Sequence, residues 1–271
     1  MTATSNRLPA LYIPHGGGPC FFMEPAFGPK DLWDRLAAYL RGLEAQVGQR
    51  PKAIVVISAH WETRRPTVNA NPAPPMLFDY YGFPEHTYRL SYPAPGSPTL
   101  AKRVGELLGK AGIASDSDAS RGFDHGVFVP FLLIYPKADI PIVQLSLQSD
   151  LDPAAHIAIG RALAPLRDEG VLIVGSGMSY HNLQAMRSRE GGEASSAFDA
   201  WLTQAVEDTD IERRASVLAD WENAPYAREC HPESEHLVPL FVAAGAAGSD
   251  LGHRTYTDKI GSFALSGFQF G

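Results

Sequence analysis

Cysteine is scarce in this chain: there are two, Cys20 and Cys230, with no CxxC spacing. That excludes a disulfide framework and a cysteine-rich zinc module, and it suits a reducing, cytoplasmic setting. A small buried thiol is the expected role of Cys20, although it stands close to His15. Excess positive charge is also missing, with 23 Lys and Arg against 30 Asp and Glu and a net charge of -7. The cations are scattered, which excludes a nucleic-acid or anionic-membrane surface. No apolar run reaches the ~18 residues of a membrane span. The N-terminal MTATSNRLPALYIPHGGG has no basic segment ahead of a long apolar one, so no secretory signal is expected. Ser/Gly linkers, charge blocks and fixed-period repeats are absent too, and one catalytic domain over 1–271 is the expectation.

What remains is ordinary globular composition, 45% hydrophobic, with enough length for a sizeable core. Ala10–Pro14, Ala53–Ser58, Pro141–Leu147 and Val171–Gly175 are β-branched and non-alternating, as parallel strands covered on both faces should be. Helical stripes lie between them, over Asp31–Val47, after Ser97-Pro98, after Asp152-Pro153, over Ala194–Val206 and over His236–Ala247. In two of these a capping residue precedes proline at the first helical position. The tail Ser262–Phe270 alternates and reads as an edge strand. The expected fold is α/β: a mostly parallel central sheet flanked by helices, with its site at the C-terminal ends of the strands. A passage at 64–97, rich in proline and aromatics, is too long for a plain connection; packed coil and a cover over a pocket are both open.

Histidines fall where strands end. The first strand runs into His15-Gly16-Gly17-Gly18, the second into Ser58-Ala59-His60-Trp61, and the stretch GVLIVGSGMSYHNL ends on His181. His125 lies in a turn-like Asp-His-Gly, and His236 opens the apolar run LVPLFVAAGAA. A single histidine is more often a satisfied structural residue than a ligand. His86, His156 and His253 carry only that reading, with His156 on a surface-type helix and His253 in a late loop. His231 is not expected to be a ligand either. Convergence at strand ends is what points to a metal. Imidazoles without thiolates suit a catalytic divalent ion, iron or zinc.

HGGGP at 15–19, SAHW at 58–61, GFP…YPAPGSP at 82–98, FDHG at 123–126, HNL at 181–183 and EHLVPL at 235–240 occur in one order. That series resembles the class III extradiol ring-cleaving dioxygenases, the family of the protocatechuate 4,5-dioxygenase catalytic subunit. The likeness is greatest to the 4,5-DOPA extradiol dioxygenase-like branch, and it spans nearly the whole chain. The resemblance implies a non-haem metal, iron(II) for activity and zinc as isolated, with a catechol and O2 as substrates. It implies His15 and His60 as ligands, His181 as acid/base histidine and His125 as a second pocket histidine. Better-known members carry glutamate as third ligand; here the branch implies His236, with Glu235 as runner-up. Three neutral imidazoles leave the site one unit more positive than two histidines and a carboxylate, which favours a catecholate dianion.

Tyr80, Tyr81, Phe83 and Trp61 are candidates to pack on the substrate ring, and Arg64, Arg65 and Arg89 are unsupported candidates for a carboxylate clamp. A zinc hydrolase using His181 or Glu235 as base is an alternative, separated by O2 dependence. A non-catalytic metal-binding relative is another. The particular catechol, the bond cleaved and the oligomeric state, a homo-oligomer included, stay open.

Overall fold

Four runs of buried sequence lie side by side and parallel at the centre of one eight-stranded sheet. The computed structural model describes residues 7–25, 28–188 and 190–271; the first six residues of the N-terminal segment lie outside them. The strands are β1 (Ala10–Pro14), β2 (Ala53–Thr63), β3 (Thr67–Asn69), β4 (Asp116–Asp118), β5 (Ile142–Gln148), β6 (Val171–Gly177), β7 (Gly252–Ile260) and β8 (Phe263–Phe270). Their order is β4-β3-β5-β2-β6-β1-β8-β7. β5, β2, β6 and β1 pair in parallel, whereas β8 joins β1 antiparallel. Every residue of β1 and β6 is buried, as their lack of alternation requires.

Helices cover both faces. Pro98–Lys110, Pro153–Leu163, Gly192–Val206 and Val238–Ala247 contribute to one apolar layer, Asp34–Val47 and His125–Ile134 to the other. Ser97 and Asp152 cap their helices through side-chain oxygens ahead of proline, as their sequences indicate. The structure corrects several expectations. The tail is not an edge: β8 lies between β1 and β7, and β7, which contains His253, takes the edge. His125 is the first residue of a helix rather than part of a turn. The last long helix starts at Val238, leaving His236 in the turn before it.

The sequence pattern assigns no role to Arg167, whose guanidinium is completely buried. It donates to the carbonyls of Leu8, Ala246, Ala247 and Phe270 and to the Asp250 carboxylate. One cation thus ties the entry to β1, the end of the last helix and the end of β8, with each hydrogen bond offsetting its desolvation. Among the described residues no helix is long and apolar enough to cross a membrane.

Two histidines away from the strand ends are core residues. His156 is buried, correcting its surface reading; its Nδ1–H donates to the Asp152 carbonyl and its Nε2 accepts the Gln148 N–H. His231 donates from Nε2 to the Ser179 carbonyl, and burial pushes its pKa down to about 4. The unfolded chain binds this proton near pH 6.5, and the folded chain does not until about pH 4. Stability from neutral His231 is therefore present above pH 6.5 and falls through that window, by about 3 kcal/mol at full effect. Urea unfolding between pH 7 and 4 should show this loss on top of that from the other buried histidines, and His231→Gln, which keeps the donor, should remove the His231 share.

Candidate metal centre

β1, β6 and β2 are neighbours, and the residues at their C-terminal ends form the floor of one cavity of about 610 Å³. His15 leaves β1 and donates its backbone N–H to the Gly177 carbonyl of β6; Gly16, at φ +83°, then turns the chain away. His60 projects from a bulge: Ser58–Trp61 stand opposite Ser146 alone, between the Ile57–Leu145 and Glu62–Leu147 pairings. Such a bulge re-aims a side chain without ending the strand. His236 is brought in by its backbone, since its carbonyl accepts from the Tyr12 hydroxyl at 2.7 Å and from the Met178 N–H at 3.0 Å. A Cβ on Gly177 would lie 2.1 Å from that carbonyl oxygen, so glycine is required there.

The three rings meet. One ligand atom from each of His15, His60 and His236 lies within 4.8 Å of the others, and the His15 and His60 Nε2 atoms are 3.2 Å apart. His15 Nδ1–H donates to the Gly16 carbonyl and His236 Nδ1–H to Glu235 Oε1, which leaves both Nε2 atoms as lone-pair donors. Burial pushes all three pKa values well below the usual histidine range, and the neighbouring rings push them further. Neutral imidazoles in this array fit a soft-to-borderline divalent cation.

Two further histidines flank the trio. His125 packs on His60, centroids 3.9 Å apart, and His181 stacks on His236 at 3.5 Å and 23°. His181 Nδ1 lies 3.1 Å from Glu235 Oε1, so one carboxylate oxygen takes both ring N–H groups. Burial pushes the Glu235 carboxyl up, but the hydrogen bond from His181 and attraction to that ring, with other local donors, bring it below the usual carboxylate range. Asp79 faces His125 in the same way: its Oδ1 accepts from the His125 backbone N–H and Nδ1–H.

The cavity walls are apolar, with Trp33, Met178, Tyr180, Leu183 and Met186 among them. Tyr80 and Phe83 of the 64–97 passage also line it, so the passage forms a wall as well as packed coil. Tyr81 is 90% exposed and does not line it; Trp61 is buried under the Arg121 guanidinium, 4.4 Å away. None of Arg64, Arg65 and Arg89 reaches the cavity, and Arg89 pairs with Glu85 at the surface. The arginine at the cavity is Arg187, which no motif in the sequence singles out. Cys20 is buried and also lines the cavity.

A cluster of imidazoles at the strand ends of a mostly parallel sheet, on the floor of a cavity of about 610 Å³, defines a candidate metal-site enzyme. Residues 9–267 match the family model described as the catalytic LigB subunit of aromatic ring-opening dioxygenase, and the chain belongs to that family. It is an extradiol ring-cleaving dioxygenase. The 4,5-DOPA dioxygenase extradiol of Beta vulgaris is 45% identical over 222 residues, 79% of this chain and 82% of that protein. The Mirabilis jalapa protein of the same name is 37% identical over 269 residues, 96% of this chain and 95% of its own. The crystal structure of an uncharacterized protein from Escherichia coli K12 superimposes with TM-score 0.75 at 32% identity, covering 98% of this chain and all of that one.

Tyr12→Phe removes a buried donor from the His236 carbonyl while keeping the ring. It should lower stability by about 1 kcal/mol and weaken zinc retention against a chelator, while leaving the fold intact by circular dichroism. Unchanged zinc retention would show that this hydroxyl does not hold the His236 segment.

Proposed function

We propose that His15, His60 and His236 hold iron(II), and that the chain opens the ring of a catechol bearing an acidic side chain. The observation that carries this reading is the convergence of three neutral ring nitrogens on the floor of an apolar cavity. Iron(II) bound there would supply a one-electron path between a catecholate and O2, which closed-shell zinc lacks. Zinc is the ion expected in protein isolated in air. Glu235 is kept as the runner-up ligand: its Oε1 already accepts the N–H groups of His181 and His236, while its buried Oε2 has no hydrogen-bond partner among the described residues.

His181 acts as the proton carrier. Its Nδ1–H is held by Glu235, so Nε2 is the ring nitrogen free to take a phenolic proton and return it during ring opening. The Glu235 charge then stabilises the imidazolium. His125, on the far side of His60, hydrogen-bonds the substrate. Tyr80 and Phe83 pack on its ring, and the apolar walls exclude water from the reacting carbon.

Substrate choice rests on Arg187. It lines the cavity, is exposed, and has no ion-pair partner among the described residues. The plant relatives carry DOPA, a catechol with an amino-acid side chain, in their names, and an arginine at this position suits such a carboxylate. Two buried free thiols support a reducing, cytoplasmic location.

Anaerobic loading with iron(II), followed by catechols in oxygenated buffer, tests the reading. Yellow semialdehyde with matched oxygen uptake is expected; turnover that proceeds without O2 would sink it. His181→Ala should keep its metal and lose turnover by roughly 10²- to 10⁴-fold. Arg187→Ala should raise KM about tenfold or more for carboxylate-bearing catechols and leave unsubstituted catechol nearly unchanged.

A further inference from the structure

We propose that Asp79 is a positioning residue that fixes the ring tautomer of His125, so that His125 meets the substrate as a hydrogen-bond acceptor. This deepens the reading of the cavity as a catechol site and rests on it. Asp79 belongs to the irregular passage, yet its register is set. Phe123 N–H donates to the Pro75 carbonyl, Leu77 N–H to the Phe123 carbonyl, and Asp79 N–H to the Leu77 carbonyl. The passage thus runs alongside 123–125 and delivers the carboxylate to the N-terminus of helix His125–Ile134, where a negative charge is favoured.

Asp79 Oδ1 accepts from the His125 backbone N–H at 3.0 Å and from its Nδ1 at 2.9 Å. An ionised carboxylate only accepts, so Nδ1 carries the ring proton and Nε2 presents a lone pair. The ring cannot escape by turning: His60 packs on it at 3.9 Å, and the Tyr80 ring meets it at 5.8 Å and 76°. Asp79 Oδ2 lies 3.8 Å from His60 Nδ1, so the same carboxylate favours the proton on Nδ1 of that ring too. A ligand atom opposite His125 must therefore donate. The hydroxyl that a catechol keeps when it binds as its monoanion satisfies this; a methyl ether or a carboxylate at that position leaves two acceptors face to face.

The test is long-range ¹H–¹⁵N NMR of the full chain, zinc-loaded and labelled with ¹⁵N-histidine. Wild type should show His125 protonated at Nδ1. Asp79→Asn keeps an oxygen able to accept both bonds and should retain that tautomer. Asp79→Ala should move the proton towards Nε2 and lower kcat/KM for catechol by roughly 10- to 100-fold, with Asp79→Asn restoring most of it. Wild-type protonation at Nε2 would overturn the assignment without any variant, and so would an Asp79→Ala spectrum identical to wild type. The tautomer is read without turnover, so this assignment can fail while oxygen-dependent ring opening stands, and the reverse.

Discussion

Five imidazoles share one small space, and the rest of the site depends on three of them, His15, His60 and His236, staying neutral together. Centroids of neighbouring rings stand 3.5 to 5.3 Å apart. A second proton about 5 Å from the first would cost roughly 3 kcal/mol even at an effective dielectric of 20. Burial adds to that cost for His15, His60 and His236. Rings packed this way form a donor set for a cation, and the free energy of holding their lone pairs together is recovered when a cation enters. The fold must therefore hold the rings against repulsion between lone pairs, which backbone anchoring at three strand ends can do.

That anchoring is a matter of which strands are neighbours. β6 lies between β1 and β2, and its glycine end accepts both the His15 N–H and the close approach of the His236 carbonyl. Tyr12 of β1 closes the arrangement from the other side through a buried hydroxyl. Residues far apart in the chain are thus fixed by groups on three adjacent strands, so the site inherits the rigidity of the sheet.

Much of this was legible because strand burial leaves a strong trace. The four parallel strands carry continuous apolar runs, and a histidine after such a run marks the rim of the sheet. His15, His60 and His181 could be set at one rim on that ground, whereas His236, in the turn before a helix, was implied only by the ordered motifs of the family resemblance. The hidden parts depended on pairings with no local signature. β7 has polar residues at alternate positions and looked like loop; only its partner β8 makes it a strand. Arg167 sits in a one-turn helix, and its burial follows from carbonyls supplied by three distant segments. Asp79 is one acidic residue in an aromatic passage, 46 positions from the histidine it faces. Tyr81 misled because its neighbours Tyr80 and Phe83 face inward while it is exposed.

The placement of the two carboxylates separates this centre from one that uses glutamate as a ligand. Here Asp79 and Glu235 stand behind the rings, accepting N–H groups from His125, His181 and His236. A carboxylate in direct contact would lower the charge of a bound cation by one unit and weaken its hold on an anionic catecholate. Set one ring further back, the same charge leaves the cation fully positive and still steadies His181 when it takes a proton. In the proposed centre the negative charge of Glu235 would act directly on the proton carrier, His181, and on the metal only through the His236 ring. The proposed division of labour, with three rings for the cation and two for protons and hydrogen bonds, follows from which rings the carboxylates hold and which nitrogen each ring keeps free.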